Sequence, residues 1–316
     1  MIKIAAAVLF LVVLSCCSAI DDIINITPDV PPNSSPGTVK FVAIGDTGTG
    51  GQGQYDVAAA IKKKCQTAGC DFVLILGDNV YSSGVNSVND SQFDSKFEDP
   101  YQNIDLPFYL VLGNHDYGGG GKGYDPTKTF YQIEYSEESE KWNMPRHFYR
   151  FKQEHATFIA LDTNAQMYGI DEDQREQVSQ WLDESQTPWI IAFGHHPYLS
   201  NGPHGNAGNY EGVPGVPIVS GDGVKDFAET VWCGKVDLYL SGHDHSRQWL
   251  GQTCQGTALA VTGAGAKTTT LPGGNAARFQ SATLGFLYVT VTEKTLTAEF
   301  IDVVDNTEFT YTLSKP

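Results

Sequence analysis

Five segments of this 316-residue chain place a polar side chain directly after an apolar run and a glycine. The five segments are Gly45-Asp46, Gly77-Asp78, Gly113-Asn114-His115-Asp116, Gly194-His195 and Gly242-His243-Asp244-His245. Carboxylate, carboxamide and imidazole groups without any thiolate suit ions such as zinc, iron or manganese. The pattern therefore predicts a metal site assembled from distant parts of the chain.

The number of ligands indicates more than one ion. The candidate ligands in these segments are Asp46, Asp78, Asn114, His195, His243 and His245. A single catalytic ion that keeps an open position cannot use six protein ligands, whereas a bridging carboxylate lets two ions share them. Tyr81, three residues after Asp78, adds a phenolate, which a hard ferric ion favours. We therefore predict two metal ions, one of them ferric iron.

The apolar runs that precede these residues are typical of buried β-strands. They cover residues 39–44, 72–76, 108–112, 189–193 and 236–240. Short apolar runs that end at glycine suit strands covered on both faces, and α/β sheets collect their ligands at the carboxyl ends of such strands. This arrangement would bring the five segments together.

The remaining patterns predict an α/β (α+β) fold with two sheets. Helical periodicity occurs at residues 55–66, 171–184 and 224–233. Residues 148–152 and 157–161 are typical of a strand pair, and alternating patterns from residue 286 onward predict a β meander. Residues 118–123 form a glycine-rich loop beside one motif. No internal repeat or linker marks a boundary within the body of the chain.

The composition argues against two classes of partner. A net charge of −17 disfavours nucleic acid, whose phosphates require a basic surface. The chain also lacks a polybasic cluster that would attract anionic lipid, and no apolar run after the N-terminal one approaches spanning length, so we expect no stable membrane insertion. The sequence does not indicate an oligomeric state.

The N-terminus is typical of a secretory signal. Lys3 precedes the apolar residues 4–14, and Cys17-Ser18-Ala19 forms a small-residue cleavage site, which predicts a signal peptide over 1–19. A linker over 20–37 and a single catalytic domain over 38–316 would follow. A retained anchor is an alternative, although the run is shorter than the roughly 20 residues that span a bilayer. A bacterial lipid anchor on Cys16 or Cys17 is another.

The cysteines agree with export. Four remain after removal of the signal, and disulfides are the default expectation in an exported chain. Cys65 with Cys70 would close a small loop at a helix end, and Cys233 with Cys254 would join the flanks of the last motif-bearing strand, although sequence alone does not fix the pairing. Three sequons, at Asn25, Asn33 and Asn89, would fit glycosylation in a eukaryotic host.

The motif series resembles the purple acid phosphatases of the metallophosphoesterase superfamily. Most metallophosphoesterases begin with Asp-x-His, whereas Asp46-Thr47-Gly48 lacks that histidine and Tyr81 is present instead, as in the purple enzymes. The short stretch between the signal and the first strand leaves no room for the N-terminal β domain of the large plant enzymes, so the chain resembles the small, tartrate-resistant type. The resemblance implies a four-layer αββα sandwich of two mixed β-sheets flanked by helices.

The resemblance also assigns roles to individual positions. It implies that a ferric ion is held by Asp46, Tyr81 and His245. It implies that a divalent iron, zinc or manganese ion is held by Asn114, His195 and His243, with Asp78 bridging the two ions. His115 and His204 match the two histidines of the family that contact phosphate and protonate the leaving group. Thr47 departs from the family, where an aromatic residue is common at this position.

These observations predict an acid phosphatase that acts on small-molecule or protein phosphate monoesters. We expect it to be secreted or to reside in a secretory-pathway compartment, in the extracellular space, a lysosome or a vacuole. Because an imidazole ordinarily titrates near pH 6.5, proton donation by histidine predicts an acidic optimum. One alternative is a phosphodiesterase or nucleotide pyrophosphatase of the same superfamily, since the ligand set does not separate these activities. Another is a noncatalytic secreted protein that keeps metals for stability.

Overall fold

The structure is a computed structural model that describes residues 37–170, 172–216 and 218–316. The predicted signal peptide, nearly all of the predicted linker and the sequons at Asn25 and Asn33 lie outside the described residues. Asn89 is described, and its side chain is exposed. No helix within the described residues has both the length and the apolar character needed to cross a membrane.

The described residues contain fourteen β-strands. In chain order they are β1 Val39–Ile44, β2 Phe72–Leu76, β3 Phe108–Val111, β4 Trp142–Asn143, β5 Tyr149–Gln153, β6 Ala156–Ala160, β7 Trp189–Phe193, β8 Leu238–Ser241, β9 Arg247–Leu250, β10 Ala258–Thr262, β11 Ala277–Ser281, β12 Gly285–Val291, β13 Thr295–Asp302 and β14 Thr307–Ser314. The predicted strands before the five motifs are confirmed, with ends that move by one or two residues. The predicted strand pair and C-terminal meander are confirmed as β5–β6 and β12–β14.

Helices connect and cover the strands. They are α1 Gln52–Ala68, α2 Asp99–Tyr101, α3 Pro126–Glu134, α4 Thr163–Tyr168, α5 Glu172–Glu184 and α6 Asp222–Phe227. Two π-helical turns, Asp94–Glu98 and Ala228–Trp232, lead into α2 and continue α6. Tighter 3₁₀ turns occupy Gly119–Gly121, Tyr135–Glu137 and Tyr210–Gly212. The three predicted helices correspond to α1, α5 and α6 with its π-helical extension.

The strands form two mixed sheets of seven strands each. The first has the order β14-β13-β12-β1-β2-β3-β4, and the second has the order β11-β9-β10-β8-β7-β6-β5. The motif-bearing strands β1, β2 and β3 are parallel neighbours in the first sheet. In the second sheet, β7 and β8 are also parallel neighbours. Each group therefore ends its strands along one edge.

The two sheets face each other across an apolar core. Phe41 and Phe72 of the first sheet each meet Phe158 of the second edge-to-face, with ring centroids 5.2 Å apart. Helix α1 packs on the first sheet through the buried Val57 and Ile61. Helix α5 covers the second sheet in a separate apolar cluster with the π-helical turn. The predicted four-layer fold is confirmed.

Both predicted disulfides are present. Cys65 at the end of α1 is bonded to Cys70, just before β2. Cys233 is bonded to Cys254, which fastens the segment before β8 to the turn between β9 and β10. The first disulfide thus closes the short connection between α1 and β2, and the second joins the two sides of β8.

Candidate dinuclear metal site

The five motifs meet where the two sheets face each other at their strand ends. Asp46 and Asp78 follow β1 and β2 after a single glycine, and the Asp46 N–H donates to the Gly77 carbonyl at 3.0 Å. The Gly242 N–H likewise donates to the carbonyl of His195 at 3.0 Å, which joins the ends of β7 and β8. Backbone hydrogen bonds between neighbouring strand ends therefore hold the ligand-bearing turns in register.

Three candidate ligands occupy an unusual backbone conformation. Asp46, Asp78 and His243 have φ values of 60°, 54° and 67°, respectively. This left-handed region is uncommon for residues other than glycine, although Asp, Asn and His are enriched there. The sharp turn lets the chain leave the strand while the side chain remains in the site.

One group of donors surrounds Tyr81. The Tyr81 hydroxyl lies 3.1 Å from Asp46 Oδ1 and 3.1 Å from His245 Nε2. His245 Nε2 in turn lies 3.4 Å from Asp46 Oδ1. A carboxylate, a phenol and an imidazole therefore direct their donor atoms at one point.

A second group of donors surrounds Asn114. Its Oδ1 lies 2.8 Å from His195 Nε2 and 3.1 Å from His243 Nδ1. The two imidazole nitrogens are 3.1 Å apart. Because Asn114 Nδ2 donates to the Gly121 carbonyl at 3.0 Å, its oxygen faces the two histidines. The glycine-rich loop thus orients this carboxamide.

Asp78 lies between the two groups. Its Oδ1 is 3.6 Å from His195 Nε2, which belongs to the second group. Ligand atoms of Asp78, Asp46 and His245 also lie within 4.8 Å of one another, which places Asp78 beside the first group. A carboxylate in this position can contribute an oxygen to either group.

The electrostatics of the site suit bound cations. Burial, together with Asp46 and Asp78, raises the pKa of Tyr81 well above its usual value, so a phenolate there needs a nearby positive charge. Burial acts to raise the pKa of Asp46, but His245 holds it below its usual value. Burial and the surrounding histidines lower the pKa of His243 well below normal, which favours the neutral, metal-binding imidazole. The donor set therefore fits a pair of metal ions.

The two motif aspartates outside the ligand set brace the loops. Asp116 accepts hydrogen bonds from the backbone N–H groups of Gly113, Asn79 and Val80. Burial and the charge of Asp78 raise the pKa of Asp116 to about 7. Asp244 accepts from the Ser200 hydroxyl and from the backbone N–H of His204. Both carboxylates therefore hold backbone segments of the site loops in place, and neither bonds to a ligating imidazole among the described residues.

The two candidate catalytic histidines flank the donor groups. The His115 backbone N–H donates to Asp78 Oδ1 at 2.9 Å, and its Nε2 lies 4.0 Å from Asp78 Oδ2. The His204 ring is 4.1 Å from the ring of His243, measured between centroids. Both imidazoles are partly exposed, with 23% and 32% of their side chains accessible. They are therefore accessible to a substrate from solvent.

Other histidines and Asp162 have structural contacts. His196 is buried beside His195, and its Nδ1 lies 2.8 Å from the Thr163 hydroxyl. Asp162, which imitates the strand-end pattern after β6, caps the N-terminus of α4 by accepting from two backbone N–H groups. These contacts give both residues structural roles.

Two residues near the site carry no signal in the motif pattern. The Lys267 ammonium lies over the Tyr81 ring, 3.6 Å from its centroid. Burial lowers the pKa of Lys267, while Asp46 and Asp78 oppose that effect. Glu211 contacts Nδ1 of His204 from a turn that is seven residues away. Lys267 follows a strand that ends at a glycine, Gly263, but the residue after that glycine is an alanine, so the pattern did not single it out.

The fold and the two-group site define a metallophosphoesterase. The chain belongs to the calcineurin-like phosphoesterase family, whose model matches residues 39–247. It is 29% identical to human tartrate-resistant acid phosphatase type 5, over 87% of this chain and 90% of the human protein. The predicted resemblance to the small purple acid phosphatases is therefore confirmed, as is the prediction of a phosphoesterase-type hydrolase.

Solved structures share the same fold. A Plasmodium protein, GAP50, described as the anchor in the inner membrane complex, matches with a TM-score of 0.69 and 22% identity, covering 88% of this chain and 89% of that chain. A purple acid phosphatase from yellow lupin seeds matches with a TM-score of 0.66 and 18% identity, covering 90% of this chain and 55% of that chain. At these identities the matches establish the architecture alone.

Proposed function

We propose that this protein is an acid phosphatase that hydrolyses phosphate monoesters at a dinuclear ferric/divalent centre. The observation that carries the proposal is the position of the Tyr81 hydroxyl, 3.1 Å from both Asp46 Oδ1 and His245 Nε2. A phenol oxygen among a carboxylate and an imidazole is a donor set that a ferric ion favours. The similarity to a human acid phosphatase supports the same activity.

The ligands divide according to the two donor groups. Asp46, Tyr81 and His245 would hold the ferric ion. Asn114, His195 and His243 would hold a divalent iron, zinc or manganese ion. Asp78, which lies between the groups, would bridge the two. Such a cation pair supplies positive charge for the phosphate oxygens and a water molecule of lowered pKa when bound.

The protein's own residues would position the substrate and move a proton. His115, fixed by its backbone hydrogen bond to Asp78, would hold a phosphate oxygen through its ring. The ring of His204 lies beside that of His243, a member of the second donor group. From there, Nε2 of His204 would give a proton to the oxygen of the leaving group. The boundaries of the catalytic domain, 38–316, remain a prediction.

The activity is tested by following hydrolysis of 4-nitrophenyl phosphate by metal-replete protein from pH 4 to pH 9. We expect the maximum in the acidic range, because the proton donor is an imidazole. A rate that is highest only above pH 8 would contradict the role of the two histidines. Absence of turnover on every phosphate ester would instead favour the noncatalytic alternative. A comparison with bis(4-nitrophenyl) phosphate separates monoesterase from diesterase activity.

Tyr81→Phe tests the ferric ion and its ligand together. We expect the wild-type protein to show a broad visible band from charge transfer between the phenolate and ferric iron, and the variant to lose it. Tyr135→Phe is a matched control, because Tyr135 is bonded to Glu98 away from the site. A colourless, active wild type would show that another ion occupies this position. Elemental analysis should find two metal ions per chain.

The proposed location is the secretory pathway or the extracellular space. Two disulfides support it, because such bonds persist in oxidising compartments. Fractionation of the source cells, with N-terminal sequencing of the mature protein, tests this proposal. A mature chain that begins at residue 20 in a secreted fraction is the expected result, and a chain acylated at Cys16 or Cys17 would support the lipid-anchored alternative.

A further inference from the structure

His204 has a carboxylate partner outside the motifs. Its Nδ1 contacts Oε1 of Glu211, while its backbone N–H donates to Asp244 Oδ1 at 3.1 Å. An ionised carboxylate can only accept a hydrogen bond, so Nδ1 must carry the hydrogen in this contact. Nε2 on the far side of the imidazole then remains for another partner.

The backbone reinforces this contact. The N–H of Glu211 donates to the carbonyl of His204 at 2.9 Å, so the two residues are joined through both backbone and side chain. Glu211 adopts a φ of 56°, which is uncommon for a residue other than glycine. The surrounding structure must therefore hold this turn in place.

Tyr210 supplies that support. Its side chain is buried, and its hydroxyl donates to the carbonyl of Pro197, just after the His195-His196 pair. Its backbone N–H donates to the carbonyl of Ser220 at 2.9 Å. The Tyr210 ring also lies 6.1 Å from the ring of His243. The turn that carries Glu211 is thus anchored to the same loops that carry the candidate ligands.

We propose that Glu211 is a positioning residue that fixes the tautomer and orientation of His204, so that Nε2 of the imidazole faces the leaving group of the substrate. This inference rests on the proposed phosphatase activity and on the role assigned to His204. In the protonated ring, the hydrogen on Nδ1 stays with Glu211 and the one on Nε2 is transferred. A water oxygen forms the new bond to phosphorus as the bond between phosphorus and the leaving group breaks, and the electron pair of the broken bond takes that proton.

A purely stabilising ion pair is a poor explanation for this contact. The side chains of His204 and Glu211 are 32% and 54% exposed, and ion pairs with this exposure contribute little to folding. Control of orientation does not require burial, because it depends only on where the acceptor sits relative to the ring. The two explanations differ in their effect on different leaving groups.

The test compares Glu211→Ala with wild type on two monoesters. Ethyl phosphate releases a basic alkoxide that needs a proton, whereas 2,4-dinitrophenyl phosphate releases a stable phenolate that does not. Since general acid catalysis contributes about 100-fold or more, a misdirected acid should lower kcat on ethyl phosphate by about tenfold. We expect kcat on 2,4-dinitrophenyl phosphate to change by less than about twofold, and Glu211→Gln, which keeps an acceptor, to lie between.

A double-mutant cycle with His204→Ala makes the test specific. If Glu211 acts through His204, Glu211→Ala should have no further effect on ethyl phosphate once the imidazole is absent. Glu184→Gln is a matched control, since Glu184 pairs with Arg150 at the end of α5, outside the site, and its replacement should leave both rates unchanged. Equal slowing of both substrates, or an undiminished effect in the His204→Ala background, would overturn the inference. A wild type that hydrolyses neither ester would instead refute the phosphatase activity, and the role of Glu211 with it.

Discussion

At the scale of single residues, the partners of a side chain decide its role more than its type does. His195 and His196 are neighbours in sequence and both are buried. His195 directs Nε2 at Asn114, whereas His196 directs Nδ1 at Thr163. The motif spacing identified His195 as the ligand candidate because its position after the strand-end glycine matches the family. The motif spacing carries no information about what His196 contacts.

His147 should make the stability of the protein depend on pH. Burial lowers the pKa of His147 in the folded state, where its Nε2 lies 2.8 Å from the Thr129 hydroxyl. A lowered pKa favours the neutral ring, so the stability it contributes is complete above about pH 6.5 and is lost as pH falls through the folded-state pKa. We expect His147→Gln to reduce the fall in Tm between pH 7.5 and pH 5.

The control for this prediction is Gln252→Asn. Gln252 is exposed and has no titratable group, so its replacement should leave the pH dependence of Tm nearly unchanged. Thermal unfolding of the three proteins in parallel gives the comparison. An identical pH dependence in wild type and His147→Gln would contradict the prediction.

At the scale of elements, glycine at the strand ends lets neighbouring turns approach closely. A Cβ atom on Gly113 would lie 2.2 Å from both the backbone nitrogen and Oδ1 of Asp78. No real side chain tolerates this contact, so the end of β3 requires glycine where it passes the end of β2. The motif glycines are therefore part of the site geometry as well as the ends of strands.

Gly113→Ala should displace Asp78 and disrupt the proposed bridge. Because a misplacement of about 1 Å in a catalytic site costs on the order of 100-fold in rate, we expect a loss of at least that size. We also expect elemental analysis to find fewer than two metal ions per chain. Gly274→Ala is the control, since a Cβ there meets no atom within 4 Å. Full metal content and activity in Gly113→Ala would argue against the assigned role of Asp78.

The two disulfides should differ in their contribution to stability. Cys233 and Cys254 are 21 residues apart, whereas Cys65 and Cys70 are 5 apart. If each disulfide acts by lowering the entropy of the unfolded chain, the one that closes the longer loop contributes about 3 kcal/mol to the free energy of unfolding, and the one that closes the shorter loop about 2 kcal/mol. Urea unfolding of the double Cys→Ala variants of each pair provides the measurement. A larger loss for the Cys65 and Cys70 pair would contradict the entropic account.

Elements that sequence reasoning located share a local signal, and those it missed do not. The strand before each motif is a short apolar run ended by glycine, so β1, β2 and β7 matched their predicted limits. The turn at Tyr210–Gly212 has no such pattern, because its conformation depends on the buried Tyr210 hydroxyl reaching Pro197. Lys267 is near Tyr81 only through the packing of one sheet on the other. Contacts that depend on tertiary structure leave no mark in local sequence.

At the scale of the whole molecule, both apolar packing and polar contacts hold the two sheets together. The aromatic cluster around Phe158 fills the space between them. Arg247 of the second sheet is fully buried, and its guanidinium forms an ion pair with Glu308 of the first sheet. Since the two donor groups of the site come mainly from different sheets, the relative position of the sheets sets the distance between them.

Phe158→Ala should therefore weaken the whole fold. Removing a buried phenylalanine typically lowers the free energy of unfolding by about 3–5 kcal/mol. Phe130→Ala is the matched control, because that ring is 57% exposed and its loss should cost no more than about 0.5 kcal/mol. Urea unfolding of both variants tests the prediction. Equal stability of the two would show that Phe158 does not join the sheets.

At Asp46, Asp78 and His243, the left-handed backbone conformation lowers the stability of the fold, while the side chains supply the candidate metal ligands. Each conformation costs about 1 kcal/mol that a glycine would not incur. A library of variants ranked only by resistance to heat would accordingly enrich glycine at these three places. The selected variants would be more stable but would lack metal-binding side chains. Directed evolution of this protein therefore needs a screen for metal retention alongside the thermal screen.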